Sequence, residues 1–145
     1  MPREECYGVI VVYKSPRGLE FLIVKELFSK INFWSFSKGH VEGHIESGEE
    51  AARRELFEET QISKIDLLNE PVFSEEYEVT RHDGQKLKIN NYFIGFVDNK
   101  EVTIDPREIL DYKWATFEEA MEFFETQSRK NILKQANEFL NNMVK

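Results

Sequence analysis

Between residues 7 and 27, apolar and β-branched residues fall into two runs, Tyr7 to Tyr13 (YGVIVVY) and Glu20 to Leu27 (EFLIVKEL). Both runs predict strands, and Ser15-Pro16-Arg17-Gly18 between them supplies the turn a hairpin requires. Phe33-Trp34-Ser35-Phe36 reads as a short strand leading into a glycine-containing loop, Lys38-Gly39-His40-Val41-Glu42-Gly43-His44. The period then changes. Ser47, followed three residues later by Glu50, has the pattern of a capping box and opens a helix to about Gln61, with the alanines and Leu56 turned inward. Val72 to Thr80, the turn His82-Asp83-Gly84 and Lys86 to Val97 predict a long antiparallel hairpin. Asp105-Pro106 marks another turn, and Asp111 to Ala115 a brief strand. Thr116 with Glu119 repeats the capping pattern and starts a second helix. Ser128 starts a third, with Ile132, Leu133, Ala136, Phe139, Leu140 and Met143 as one apolar stripe. No repeat, linker or low-complexity tract breaks this order, so one α/β domain accounts for residues 1–145.

Composition narrows the chemistry. Hydrophobic residues make up 41% and aromatics 13%, with 4 prolines and 7 glycines, which argues against disorder. A net charge of −8 speaks against general binding to nucleic acid or anionic membranes, so no stable nucleic-acid partner is expected. An acidic protein still binds polyphosphate where metals supply the missing positive charge. Cys6 is the only cysteine, which removes an intramolecular disulfide and a cysteine-based zinc site. The first apolar run is too short, and too acidic at its flank, for a signal peptide, and nothing reaches the length of a membrane span. A cytoplasmic monomer without membrane contact is expected.

Glu55, Glu58 and Glu59 stand at i, i+3 and i+4 of the first predicted helix, which crowds three carboxylates onto one face. Like charges at that spacing repel unless a cation sits among them, and oxygen-only ligands suit Mg2+ or Mn2+. By itself, a run of glutamates on a helix is a solvated face. What reverses that reading is the wider pattern. The segment Gly39 to Ile62, GHVEGHIESGEEAARRELFEETQI, resembles the Nudix box, G-x5-E-x7-R-E-U-x-E-E-x-G-U with U a bulky apolar residue. Glu46, Arg54-Glu55-Leu56, Glu58-Glu59 and Ile62 fit it. Six residues rather than five separate Gly39 from Glu46, and Gln61 stands where the box has its second glycine. Gln61 can take the helix-end position at modest conformational cost. Beyond the box, Phe33-Trp34 before Lys38-Gly39-His40-Val41-Glu42, Tyr112-Lys113-Trp114 before Glu118-Glu119-Ala120, and the closing segment with Asn131-Ile132-Leu133 are similar to the asymmetric diadenosine tetraphosphate hydrolases.

The resemblance implies a Nudix-type α/β/α sandwich with a mixed sheet, hydrolysing dinucleoside polyphosphates with Mg2+ (or Mn2+). For diadenosine tetraphosphate the products would be ATP and AMP. It implies Glu55 and Glu59 as metal ligands, in agreement with their spacing one turn apart, and Glu108 as a further acidic group near the metals. Glu58 either ligates another ion or takes a proton from the attacking water, and Gly39 offers a backbone carbonyl to a metal. Arg54 points away from the ligand face and pairs with Glu46, bracing the loop on the helix. Lys38 and His40, flanking Gly39, are placed to meet phosphate oxygens. Lys88 and Tyr77 match positions that hold the polyphosphate chain in the resembled group, although a strand lysine is ordinarily an exposed edge charge. Trp34, Tyr77 and Tyr112 are candidate base-stacking aromatics, with Trp34, Trp114 and Tyr112 read first as core. His44 and His82 are read as solvent-exposed. The alternatives are an RNA 5′-pyrophosphohydrolase, another nucleoside-diphosphate-X hydrolase, and a nucleotide-binding module without turnover.

Overall fold

Alternate residues of the first strand face two different cores. Strand β1 (Arg3–Ser15) packs Val9 and Val11 with Leu22, Val24, Ala52, Leu56 and Phe93, whereas Ile10 and Val12 join Phe21, Ile23, Tyr92, Ile94, Ile132 and Leu133. The twofold period of a strand thereby buries both faces of the sheet. Helix α1 (Gly48–Thr60) covers one face, and α2 (Phe117–Phe123) with α3 (Gln127–Met143) covers the other. The result is an α/β/α sandwich. This computed structural model describes residues 1–27, 33–43 and 45–143, so His44 lies outside the described residues.

The sheet is mixed. β1 runs parallel to β7 (Gly84–Val97), from Arg3↔Leu87 to Tyr13↔Val97. Every other described ladder is antiparallel. β2 (Gly18–Glu26) folds back on the last third of β1, then diverges to pair with β8 (Ile109–Ala115) and β3 (Trp34–Ser35). β4 (Ser37–His40) takes the vacated edge of β1, with Tyr7 opposite Gly39. β5 (Asp66–Leu67) and β6 (Phe73–Arg81) both pair with β7.

Several boundaries depart from the pattern-based reading. Ser37 to His40 is strand rather than loop, because its backbone completes the ladder of β1. β5 went unread, being only two residues. The third helix begins at Gln127, and Met143 is exposed rather than in the stripe, since the helix outruns the sheet at its last turn. β7 has neighbours on both sides, so Lys88 is on an interior strand and not an edge. Both capping boxes form as read. Gln61 closes α1 with φ 64, a left-handed conformation usually left to glycine.

A buried ion pair ties the helical layer to the sheet. Arg129 of α3 donates to Glu75 of β6 at 3.2 Å and to the Trp34 carbonyl at 3.1 Å. Glu75 also accepts from the Tyr92 hydroxyl and from Ser128, each at 2.8 Å. Removing one member strands the other charge inside. Arg129→Met is therefore expected to lower the denaturant-derived folding free energy by roughly 3–5 kcal/mol, and an unchanged midpoint would contradict it.

Candidate functional site

Helix α1 carries the acidic residues, and its start fixes where they point. Ser47 Oγ accepts the Glu50 amide at 3.1 Å while Glu50 accepts the Ser47 amide at 2.9 Å. Leu56 with Ala51 and Ala52 anchors the opposite face to the sheet. That orientation turns Glu55 and Glu59 toward β4. There the helix comes so close that a Cβ on Gly39 would lie 2.0 Å from the Glu55 carboxyl carbon. Gly39 is the residue that permits this approach.

Carboxylates converge where α1, β4 and the chain entering β8 meet. Oxygens of Glu55, Glu58 and Glu108 all lie within 4.8 Å of one another. Glu108 is brought there by the turn at Asp105, whose carbonyl accepts the Glu108 amide at 3.0 Å, and whose own amide donates to the Glu59 carbonyl at 3.1 Å. Glu59 is only 5% exposed, and its Oε1, like Oε2 of Glu108, is buried without a hydrogen-bond partner. Burial, reinforced by the nearby Glu26 carboxylate, pushes the Glu59 carboxyl up to about 9. Burial also raises Glu55 above the usual carboxylate range. Buried, unpartnered carboxylate oxygens facing one cleft are what a hard divalent cation would satisfy, so the donor set fits such an ion.

Arg54 departs from the sequence reading. Its guanidinium does pair with Glu46, at 2.8 and 3.1 Å, but it does not point away from the acidic face. Nη1 donates to Glu55 at 2.9 Å and to Glu58 at 3.3 Å, and Nη2 donates to the His40 carbonyl at 2.8 Å. One planar fork thus joins the loop carboxylate, β4 and two glutamates of α1. The bond from Arg54 holds Glu46 below the ordinary carboxylate range. A lysine cannot reproduce that fork. Arg54→Lys is expected to cost roughly 10–100-fold in turnover with the fold retained, and wild-type turnover would remove its positioning role.

An open cleft of about 200 Å³ lies over these groups. Lys38, Gly39, His40, Glu55, Glu59, Lys88 and Glu108 line it together. Glu58 is exposed beside it, and Tyr77 stands opposite Lys88 in the β6–β7 ladder, its hydroxyl accepting from Asn90 at 3.2 Å. Tyr77 is not among the lining residues, and Glu46 is held behind Arg54. His40 is exposed, 3.9 Å from Glu4, and partial desolvation by the surrounding cleft, together with the Lys88 charge, lowers its pKa. Trp34 is buried against Phe123, whereas Trp114 and Tyr112 are half-buried against the core under α1; His82 is exposed.

Three lining residues escaped the sequence reading of the site, Cys6, Glu26 and Ile109. Glu26 ends β2 and reaches Lys38, twelve residues later, at 2.8 Å. Nothing local marks it. It lies just where the ladder of β2 with β8 shifts register, a feature that depends on a partner strand distant in sequence.

The NUDIX domain profile matches residues 4–136. The chain belongs to the Nudix family, hydrolases of the acid-anhydride kind that generally use divalent metals and act on small nucleotides. No curated protein sequence matches it. Among solved structures, the C. elegans Ap4A hydrolase binary complex superimposes with a TM-score of 0.83 at 23% identity, covering 96% of this chain and 98% of that one. The NUDIX domain of Shewanella oneidensis NrtR complexed with ADP ribose gives 0.74 at 17% identity, covering 97% and 90%. MutT protein from Methanosarcina mazei gives 0.72 at 22%, covering 94% of each. At these identities the likeness concerns the fold. No helix among the described residues is long and apolar enough to cross a membrane.

Proposed function

We propose that the protein hydrolyses dinucleoside polyphosphates, cleaving diadenosine tetraphosphate asymmetrically to ATP and AMP with Mg2+ or Mn2+. The observation that carries this reading is the cleft itself, where Glu55, Glu59 and Glu108 line the same space as His40, Lys88 and a Lys38 paired with Glu26. Such a surface suits a linear polyanion that reaches a cation cluster at one phosphate. The substrate choice is supported by the sequence likeness outside the box and by the full-length fold likeness to the C. elegans Ap4A hydrolase.

Glu55, Glu59, Glu108 and the Gly39 carbonyl would hold the cations, with Glu58 beside them. When bound, these neutralise charge on the phosphate oxygens and acidify the attacking water. Glu58, exposed at the rim, takes the water proton as the new oxygen–phosphorus bond forms and the anhydride bond opens toward ATP. Arg54 keeps Glu55 and Glu58 oriented, and Lys88 and His40 steady the departing phosphates. Positioning and electrostatics supply most of the acceleration.

The test compares diadenosine tetraphosphate, 5′-triphosphorylated RNA and ADP-ribose in isotopically labelled water, with products separated chromatographically. Label in AMP, with the tetraphosphate hydrolysed fastest, supports the assignment. Faster pyrophosphate release from RNA, or faster cleavage of ADP-ribose, moves the substrate elsewhere within the family. No turnover of any of the three would favour a binding module instead.

A further inference from the structure

We propose that Glu26 is a built-in counter-ion that sequesters Lys38, so that a polyphosphate gains that ammonium only by displacing a carboxylate. The proposal deepens the functional reading and rests on it for the identity of the cleft as a phosphate site. Lys38 would be the natural first cation for a phosphate, since it borders Gly39 on β4. Its side chain, however, is only 8% exposed, and its Nζ already lies 2.8 Å from Glu26 Oε1. Ser35 donates to the same oxygen at 3.1 Å, so the carboxylate is held from two sides. Burial alone would raise the pKa of Glu26, but the Lys38 charge and the hydrogen bonds from Lys38 and Ser35 outweigh it and keep the carboxylate ionised. A mostly buried pair is little screened by salt, and separating it costs what an arriving anion must repay. The other lysine of the cleft, Lys88, is left as the cation immediately open to a ligand. Glu26 therefore withholds one positive charge from the resting cleft and leaves phosphate capture dependent on bound divalent cations.

The account is tested with inorganic tripolyphosphate titrated calorimetrically into the full chain in chelator, where no hydrolysis occurs. Glu26→Gln keeps the size and the contact with Ser35 but frees Lys38. It is expected to bind about tenfold more tightly than wild type, and Lys38→Met added to it is expected to abolish the gain. A merely structural role for Glu26 does not tighten binding. Equal affinity of Glu26→Gln and wild type, or a gain that survives Lys38→Met, overturns the proposal. Should Glu26→Gln fail to fold, Lys38→Met in the native background decides. Tripolyphosphate affinity within about twofold of wild type supports sequestration, and a tenfold loss refutes it. None of these readouts uses turnover, so a wrong choice of nucleotide substrate leaves them intact.

Discussion

Glu59→Gln is expected to lower turnover on the order of a thousandfold while making the cation-free protein more stable. The two effects have one cause. Glu59 is 5% exposed with an unpartnered oxygen, and its carboxyl is raised to about 9, so the folded chain without a cation tolerates it only protonated. Because the folded value lies above the ordinary glutamate value of 4.5, the unfolded chain releases its proton first as pH rises. Glu59 therefore costs no stability below about pH 4.5, costs progressively more up to about 9, and a constant amount beyond. Thermal unfolding in chelator should show wild type weakening across that window and the glutamine variant weakening less. Identical pH slopes, or near-normal turnover in the variant, would refute the assignment. Cation binding reverses the penalty, so adding Mg2+ should stabilise wild type more than the variant.

Gly39→Ala should separate catalysis from folding in a different way. A methyl group there would overlap the Glu55 carboxyl group, 2.0 Å from its carbon, and the side chain is the part able to move. β4 keeps its ladder with β1, so the unfolding midpoint should change little. The displaced carboxylate no longer converges with Glu58 and Glu108, and a shift of this size costs about a hundredfold in turnover. Weaker Mn2+ binding, read by titration, should accompany the loss. Full activity would mean that Glu55 is not held where the structure has it for any catalytic purpose.

The sequence was most legible where spacing is local. The strands of the first hairpin, both capping boxes and the inward face of α1 follow from residues within one or two turns of each other, and they form, although β1 runs Arg3–Ser15 rather than Tyr7 to Tyr13 and β2 Gly18–Glu26 rather than Glu20 to Leu27. The acidic face of α1 was legible for the same reason, since three glutamates at helical spacing must share a side. What stayed hidden depends on contacts distant in sequence. Ser37 to His40 looked like loop because its glycine and polar side chains carry no strand signal, and only the open edge of β1 makes it a strand. Arg54 was read from its direction on the helix, but a long side chain can curl back, and here the Glu55 and Glu58 carboxylates draw it in. Glu26 became part of the cleft through an ion pair with a residue on another strand. The rival reading of Lys88 as an exposed edge charge, set against its binding role, fails because the parallel partner of β7 is the first strand of the chain.

Divalent cations are expected to bind the buried carboxylates of α1 and Glu108 at the cost of a proton. Calorimetric titration of Mg2+ and Mn2+ near pH 8, repeated in two buffers of different ionisation enthalpy, reads uptake and proton release together. Saturable binding with a heat that shifts between the buffers, much reduced in Glu59→Gln, is the result expected from the raised pKa of Glu59. Absence of any uptake, with or without a nucleotide present, would contradict it.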